Sequence, residues 1–432
     1  MSNAAHVPSH DERMTGYQIL VVAMCVLINV LDGFDILAVA FAAPAIVREW
    51  GLTPEQTGLL LSAGLAGIGV GALVFSIIAD IVGRRPVILV SILLMSAGML
   101  AAGCVDSVPL LALYRIVTGL GIGGMVSTGG TLAIEYSTPS KRTLSVALVV
   151  IGYPFGATLG GLVAVWLLEQ FGWRSIFLFG GAATSVLFPL LLWRMPESIE
   201  FLADRRPRGA LEKINLYRAR LGRPPISELP TPRGEQDRGR QFGELARSPL
   251  RETTVLLCVA YAMFMLSFYF IINWATKLVT ELGLTDAVGV SASIMINLGG
   301  IAGGLLFGLV SVRLPLRPLA VTVASLMALA IAPFGSLPAS PPLLYTACTI
   351  LGFFMWGASA TMYSVIALSY PPRVRATGIG LVVTAGRVGS ILGPYCAGLL
   401  LGAGVGRLAV TLLLALPALV CAVLVARTNR RS

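Results

Sequence analysis

The chain has 432 residues, of which 56% are hydrophobic and only 12% charged, with a mean hydropathy of +0.85. An ordinary soluble domain carries about 25% charged residues, so a soluble fold of this size is excluded and the chain reads as an integral membrane protein. The formal charge of +10 does not indicate a nucleic-acid partner, because the charges stand in short bursts between long apolar runs, the pattern of topology signals.

About 20 apolar residues cross a bilayer as a helix. In chain order such runs fall at 17–41, 56–79, 86–104, 109–135, 143–168 and 174–193, then at 253–276, 288–311, 318–336, 342–369, 376–400 and 407–426. The expected fold is all-α, with twelve transmembrane helices in two six-helix pseudo-symmetric bundles. Its parts are an N-terminal tail (1–16), a first bundle (17–194), a linker (195–252), a second bundle (253–426) and a C-terminal tail (427–432). The tail at 1–16, with Asp11, Glu12 and Arg13, is too polar for a cleaved signal peptide. The linker contains FLADRRPRGALEKINLYRARLG, which has the composition of a basic, lipid-facing surface helix; a solvated connector is the simpler reading. With the N-terminus inside, twenty-four of the thirty-one positive residues fall on the inner side and four on the outer, so both termini are expected to be cytoplasmic.

An internal repeat supports the halving. The run Phe75–Pro86 aligns without gaps on Phe307–Pro318, and Phe155–Gly160 on Val388–Gly393, at nearly equal offsets. Two parallel halves around a midplane cavity is a recurring transporter plan.

Several chemistries are ruled out. The three lysines, Lys141, Lys213 and Lys277, never follow a glycine, so the phosphate-cradling loop of an ATP-driven pump is absent. The only histidines, His6 and His10, lie in the N-terminal tail, and the six cysteines are scattered singly. No metal, cofactor or proton relay is expected from either type. The hydrolase motifs Gly-x-Ser-x-Gly and His-Glu-x-x-His do not occur, and no enzymatic activity is expected.

Ionisable groups inside a membrane are costly and usually functional. The first span holds Asp32 and Asp35 in the run LDGFD, the fourth holds Arg115, the eleventh holds Arg387, and Glu135 closes the fourth. Asp32 and Asp35 stand at i and i+3 and share a helix face. A rise of 1.5 Å per residue puts Asp35 and Arg115 at matched depths of about 9 Å, with Asp32 at about 13 Å. A structural ion pair is the competing reading for Asp35 and Arg115. One arginine cannot neutralise two carboxylates, so Asp32 is the better candidate for loading and releasing a proton. Arg387 falls about 17 Å into its span, near the midplane, with no acidic residue in the neighbouring spans. Its fork suits an anionic substrate, a carboxylate above all. Tyr261, Phe268, Tyr269, Phe270, Asn273 and Trp274 in the seventh span, with Trp356 and Tyr363 in the tenth, can supply an apolar, stacking half-site. Gly152, Gly156, Gly160 and Gly161 in the fifth span allow close helix approach.

These residues resemble the major facilitator superfamily. Ser76-Ile-Ile-Ala-Asp80-Ile-Val-Gly83-Arg84-Arg85 is similar to its loop 2–3 signature, with Ser76 in place of the usual Gly and Ile81 in place of the usual Arg. Arg115-x-x-x-Gly119-x-Gly121 is similar to its span 4 signature, while Gly156-Ala157 replaces the Gly-Pro pair of drug antiporters. Within the superfamily the resemblance is to the aromatic acid:proton symporters, carried by LDGFD, GWR at 172–174, MPES at 195–198, NW at 273–274, YPPRVRATGIG at 370–380 and GRVGSILGP at 386–394. It implies uptake of a benzoate-type carboxylate (hydroxybenzoate and protocatechuate included) with protons, across a bacterial inner membrane. Coupling then falls to Asp32 and Asp35, and substrate binding to Arg387, Arg115, Asn273, Trp274, Tyr269 and Trp356. Gating falls to Asp80, Arg84, Arg85, Glu135 and Arg142. Lys277, less familiar after NW, bears on substrate choice. No nucleic acid, metal or cofactor is implied, and no oligomer is required. The alternatives are a proton-coupled transporter of another organic anion, or a membrane receptor that binds without moving its ligand.

Overall fold

The computed structural model describes residues 14–230, 243–247 and 250–428; His6, His10 and Arg13 lie outside them. Helices form where the apolar runs predict them, and their ends are set by caps. The Thr15 hydroxyl accepts from Gln18 N–H and the Gln18 side chain accepts from Thr15 N–H, a capping box that starts α1 (Gly16–Trp50). Gly51, in the left-handed region, ends it. Thr53 and Gln56 repeat the device ahead of α2 (Pro54–Val82). The remaining helices of the first bundle are α3 (Arg84–Ala102), α4 (Val108–Glu135), α5 (Arg142–Phe171) and α6 (Arg174–Arg194). The second bundle holds α9 (Leu250–Thr280), α10 (Asp286–Val310), α11 (Leu316–Ile331, continued by a 3-10 turn to Ser336), α12 (Pro341–Leu368), α13 (Arg375–Gly402) and α14 (Arg407–Arg427). Among the described residues these twelve helices are long and apolar enough to cross a membrane.

The two bundles repeat one packing plan. In each, the first helix packs on the fifth, the second on the fourth and the third on the sixth. The bundles then meet reciprocally, α2 against α13 and α5 against α10, with α1 against α9. The internal repeat in the sequence therefore falls on equivalent places, the turn after the second helix and the middle of the fifth.

Two expectations are corrected. The expected first span ends at 41, but α1 continues through the apolar residues 42–47 and past Pro44 to Trp50, where the Gly51 cap stops it. At 1.5 Å per residue, Asp35 and Asp32 stand about 22 and 27 Å from that end, astride the middle of the helix. The basic stretch is not one helix. Arg206, with a positive φ of 48°, and Pro207 break it into α7 (Ile199–Arg205) and α8 (Ala210–Arg220), which share a small core of Leu202, Ala210 and Ile214.

The glycine stripe of α5 lies along α1. A Cβ at Gly156 would collide with the Val30 carbonyl oxygen, and one at Gly33 with the Tyr153 carbonyl oxygen. The glycine inside LDGFD is thus the point where α5 crosses α1, and this crossing holds Asp32 beside Tyr153. Overpacking typically costs about 1–3 kcal/mol, and here the obstacle is backbone rather than a side chain that can turn. Gly156→Ala is expected to fall at the upper end, seen as a lowered thermal unfolding midpoint in detergent; an unchanged midpoint would contradict this packing.

Candidate functional site

Asp35 and Arg115 share a pocket inside the first bundle. Asp35 is fully buried, with Thr184 Oγ1 of α6 donating to its Oδ2 at 3.5 Å. Arg115 is 2% exposed. Its Nη2 donates to the Ile36 carbonyl and its Nη1 approaches Met99 Sδ, each at 3.4 Å, and the guanidinium stands 5.9 Å from the Phe177 ring. The two charges act on each other, but without an ion pair inside 4.0 Å. Arg115 was expected among the substrate contacts. It lies enclosed by α1, α3 and α6, beside Asp35.

Asp32, three residues earlier, is 1% exposed, and neither carboxylate oxygen has a hydrogen-bond partner among the described residues. Its charged neighbour is Asp35; it also faces Tyr153 of α5. Tyr153 leads across the bundle interface. Its ring lies 5.5 Å from Trp356 of α12, which in turn lies 5.4 Å from Phe268 of α9. Arg387 of α13, half-buried, acts electrostatically on the hydroxyls of Tyr153, Tyr261 and Tyr269. One seam between the bundles thus carries a carboxylate on one side, a guanidinium on the other and aromatic rings between.

Two residues expected to touch substrate are engaged elsewhere. Trp274 Nε1 donates to the Pro394 carbonyl at 3.0 Å, tying α9 to α13, and Asn273 Nδ2 donates to the Tyr269 carbonyl one turn back at 2.9 Å. Lys277, at the far end of α9, pairs with Glu281 at 2.8 Å. Tyr153 and Asn297 escaped the sequence reading. Their only signal was a polar atom inside an apolar run.

The gating set splits. Arg84 pairs with Glu135, whose oxygens also accept from Ser198 Oγ at 2.8 and 2.9 Å and from Ile199 N–H at 3.1 Å. Glu197 Oε1 accepts from the backbone N–H groups of Arg84, Arg85 and Ser198 at 2.8, 3.1 and 2.8 Å, capping the start of α3. The MPES run therefore works as a knot joining α3, α4 and α7, and Glu197 and Ser198 are members that the sequence reading left out. Asp80 lies alongside, its carbonyl accepting from Arg205 Nε at 2.9 Å. Arg142 is exposed at the start of α5.

The bundles are tied together at the end remote from both chain ends. Arg48, at the end of α1, forms a forked pair with Asp286, which starts α10. Ser62 Oγ donates to the Ile391 carbonyl at 2.8 Å, and Gly58 packs on Gly398. Tyr363, 46% exposed, sets its ring edge-on to the buried Tyr261 at 5.8 Å.

Two pseudo-symmetric six-helix bundles, closed over a charged seam at one end, define a secondary transporter fold. The family model described as Major Facilitator Superfamily matches residues 25–394, and the chain belongs to that superfamily. It is 32% identical to a gallate transporter of Pseudomonas putida, over 95% of this chain and 91% of that one. It is 31% identical to a 4-hydroxybenzoate transporter of Acinetobacter baylyi, over 91% and 87%. Among solved structures, the inward-open xylose transporter XylE from E. coli superposes with a TM-score of 0.74 at 15% identity, covering 96% of this chain and 97% of that one.

Proposed function

We propose that this protein is a proton-coupled importer of a small aromatic carboxylate, working by alternating access. The observation that carries the reading is the seam itself, where Tyr153, packed on Trp356, is acted on by both the buried, unpartnered Asp32 carboxylate and the Arg387 guanidinium, which also acts on Tyr269. The gallate and 4-hydroxybenzoate transporters support the substrate class.

Charge bookkeeping gives the mechanism. Two carboxylates and one guanidinium stand buried in the first bundle, an excess of one negative charge if all are ionised. An isolated buried charge costs several kcal/mol. A proton on Asp32 removes that charge and also the repulsion it would exert on an incoming substrate anion. Substrate and proton then enter together, the carboxylate on the fork of Arg387, the ring among the aromatics. Asp35 and Arg115 hold the local field steady and fix α1 against α4 and α6. Once the seam opens to the other side, loss of the proton restores the repulsion and expels the anion. The positive-inside pattern sets the orientation, with both termini cytoplasmic. The Arg48–Asp286 pair then lies at the periplasmic end and belongs to the closure there. That pair is weak, since Arg48 is 62% exposed and surface pairs contribute about 0–1 kcal/mol. A latch of this strength suits a gate that must part in every cycle.

The test is uptake of labelled 4-hydroxybenzoate and protocatechuate into proteoliposomes, with and without an inward proton gradient. Accumulation that disappears when the gradient is collapsed supports the reading. Uptake of neither acid rejects the substrate class.

A further inference from the structure

Three polar atoms at the seam are unspent by the mechanism above. Trp356 Nε1, Asn297 Oδ1 and the Tyr153 hydroxyl are buried, with no hydrogen-bond partner among the described residues. Buried polar groups are normally paired, and each one left unpaired costs about 1–3 kcal/mol.

The three lie on one wall. The Tyr153 and Trp356 rings are 5.5 Å apart. The indole of Trp356 lies over Gly300 of α10, so closely that a Cβ there would collide with it. Asn297 stands one turn before Gly300, at i and i+3, hence on the same face of α10. One of its two Nδ2 hydrogens goes to the Ser293 carbonyl at 2.9 Å, which orients the amide and leaves Oδ1 as an acceptor with no partner among the described residues. The indole N–H is only a donor, and the tyrosine hydroxyl is both. A hydroxyl on an aromatic ring accepts one hydrogen bond and donates another, so a single phenol group satisfies the indole and the amide together. A second hydroxyl on the adjacent carbon can reach Tyr153. Arg387, which also acts on Tyr153, anchors the other end of such a ligand.

Resting on the aromatic-carboxylate reading above, the geometry points to a selectivity filter for ring hydroxyls, built by Trp356, Asn297 and Tyr153. The site takes hydroxylated benzoates in preference to benzoate itself. An unsubstituted ring fills the same space but leaves the polar atoms dry and unpaired, and sites built to hydrogen-bond a hydroxyl reject analogues that lack one.

The test is calorimetric binding of benzoate, 4-fluorobenzoate and 4-hydroxybenzoate to the full-length protein in detergent. The fluoro compound controls for size. The expected Kd for 4-hydroxybenzoate is about 10- to 100-fold below the other two, and this ratio collapses toward one in Trp356→Phe and in Asn297→Leu. Equal Kd values in the wild type overturn the proposal while leaving the aromatic-carboxylate reading intact, as does an undiminished ratio in both variants. Binding of none of the three rejects both. Where a variant has lost its cooperative thermal transition, the wild-type ratio alone decides.

Discussion

Replacing Asp32 by Asn is expected to abolish accumulation of substrate against a gradient while leaving substrate-for-substrate exchange in place. One proton entering with each carboxylate anion is electroneutral, so the steady-state accumulation ratio follows the pH difference alone. A tenfold ratio corresponds to about 1.4 kcal/mol, the free energy of one proton crossing one pH unit, so the wild type should accumulate about tenfold per unit. The amide is permanently neutral, imitating the protonated acid. It admits the anion, since the repelling charge is absent, but it has no proton to release. The accumulation ratio in Asp32→Asn should therefore fall to about one at any pH difference, with counterflow of labelled against unlabelled substrate preserved. Accumulation that still tracks the proton gradient would remove Asp32 from the coupling role. Asp35→Asn should behave differently, because it leaves Arg115 as an uncompensated charge inside the first bundle; a lowered thermal midpoint is the expected sign.

The second large effect is at Arg387. Truncating one partner of a buried, hydrogen-bonded charge pair costs about 2–5 kcal/mol. Arg387 is only half-buried, so the lower end applies, and Arg387→Ala should raise the Kd for 4-hydroxybenzoate roughly 30- to 100-fold. Arg387→Lys keeps the charge but loses the two-pronged geometry, and should recover only part of that. Comparing benzoate with its uncharged amide separates the charge contribution from packing, since the amide should be nearly indifferent to both substitutions. Equal affinity of wild type and Arg387→Ala for the carboxylate would take the anchor away from α13.

Much of this site can be read in the sequence, and the unread part has a common cause. LDGFD, Arg115 and Arg387 stand out because an ionisable residue in an apolar run is visible without any knowledge of packing. Asp35 and Arg115 do come together, but matched depth is not the reason: with α1 running to Trp50, Asp35 stands about 22 Å from its end, whereas Arg115 stands about 10 Å from the start of α4. What the sequence cannot supply is which polar atoms remain free once helices cross. Trp274 looked like a stacking residue, yet its N–H is held by Pro394 on another helix. Trp356 looked the same, and its N–H has no partner among the described residues. Asn297 and Tyr153 gain their meaning only from Gly300, which the Trp356 indole covers, and from Gly33, where α5 passes too closely for a side chain. Glu197 lay hidden for a similar reason. In sequence it belongs to a polar linker, whereas in space its carboxylate caps a helix more than a hundred residues earlier.

The central claim is that substrate and proton move together, and it can be tested without any imposed proton gradient. Proteoliposomes loaded with a pH-sensitive dye are given 4-hydroxybenzoate outside at equal internal and external pH, at a pH where almost none of it is the membrane-permeant neutral acid. The account predicts internal acidification that begins with substrate addition, scales with uptake and is absent in protein-free vesicles and in Asp32→Asn. Uptake of the labelled acid with no change in internal pH would contradict it.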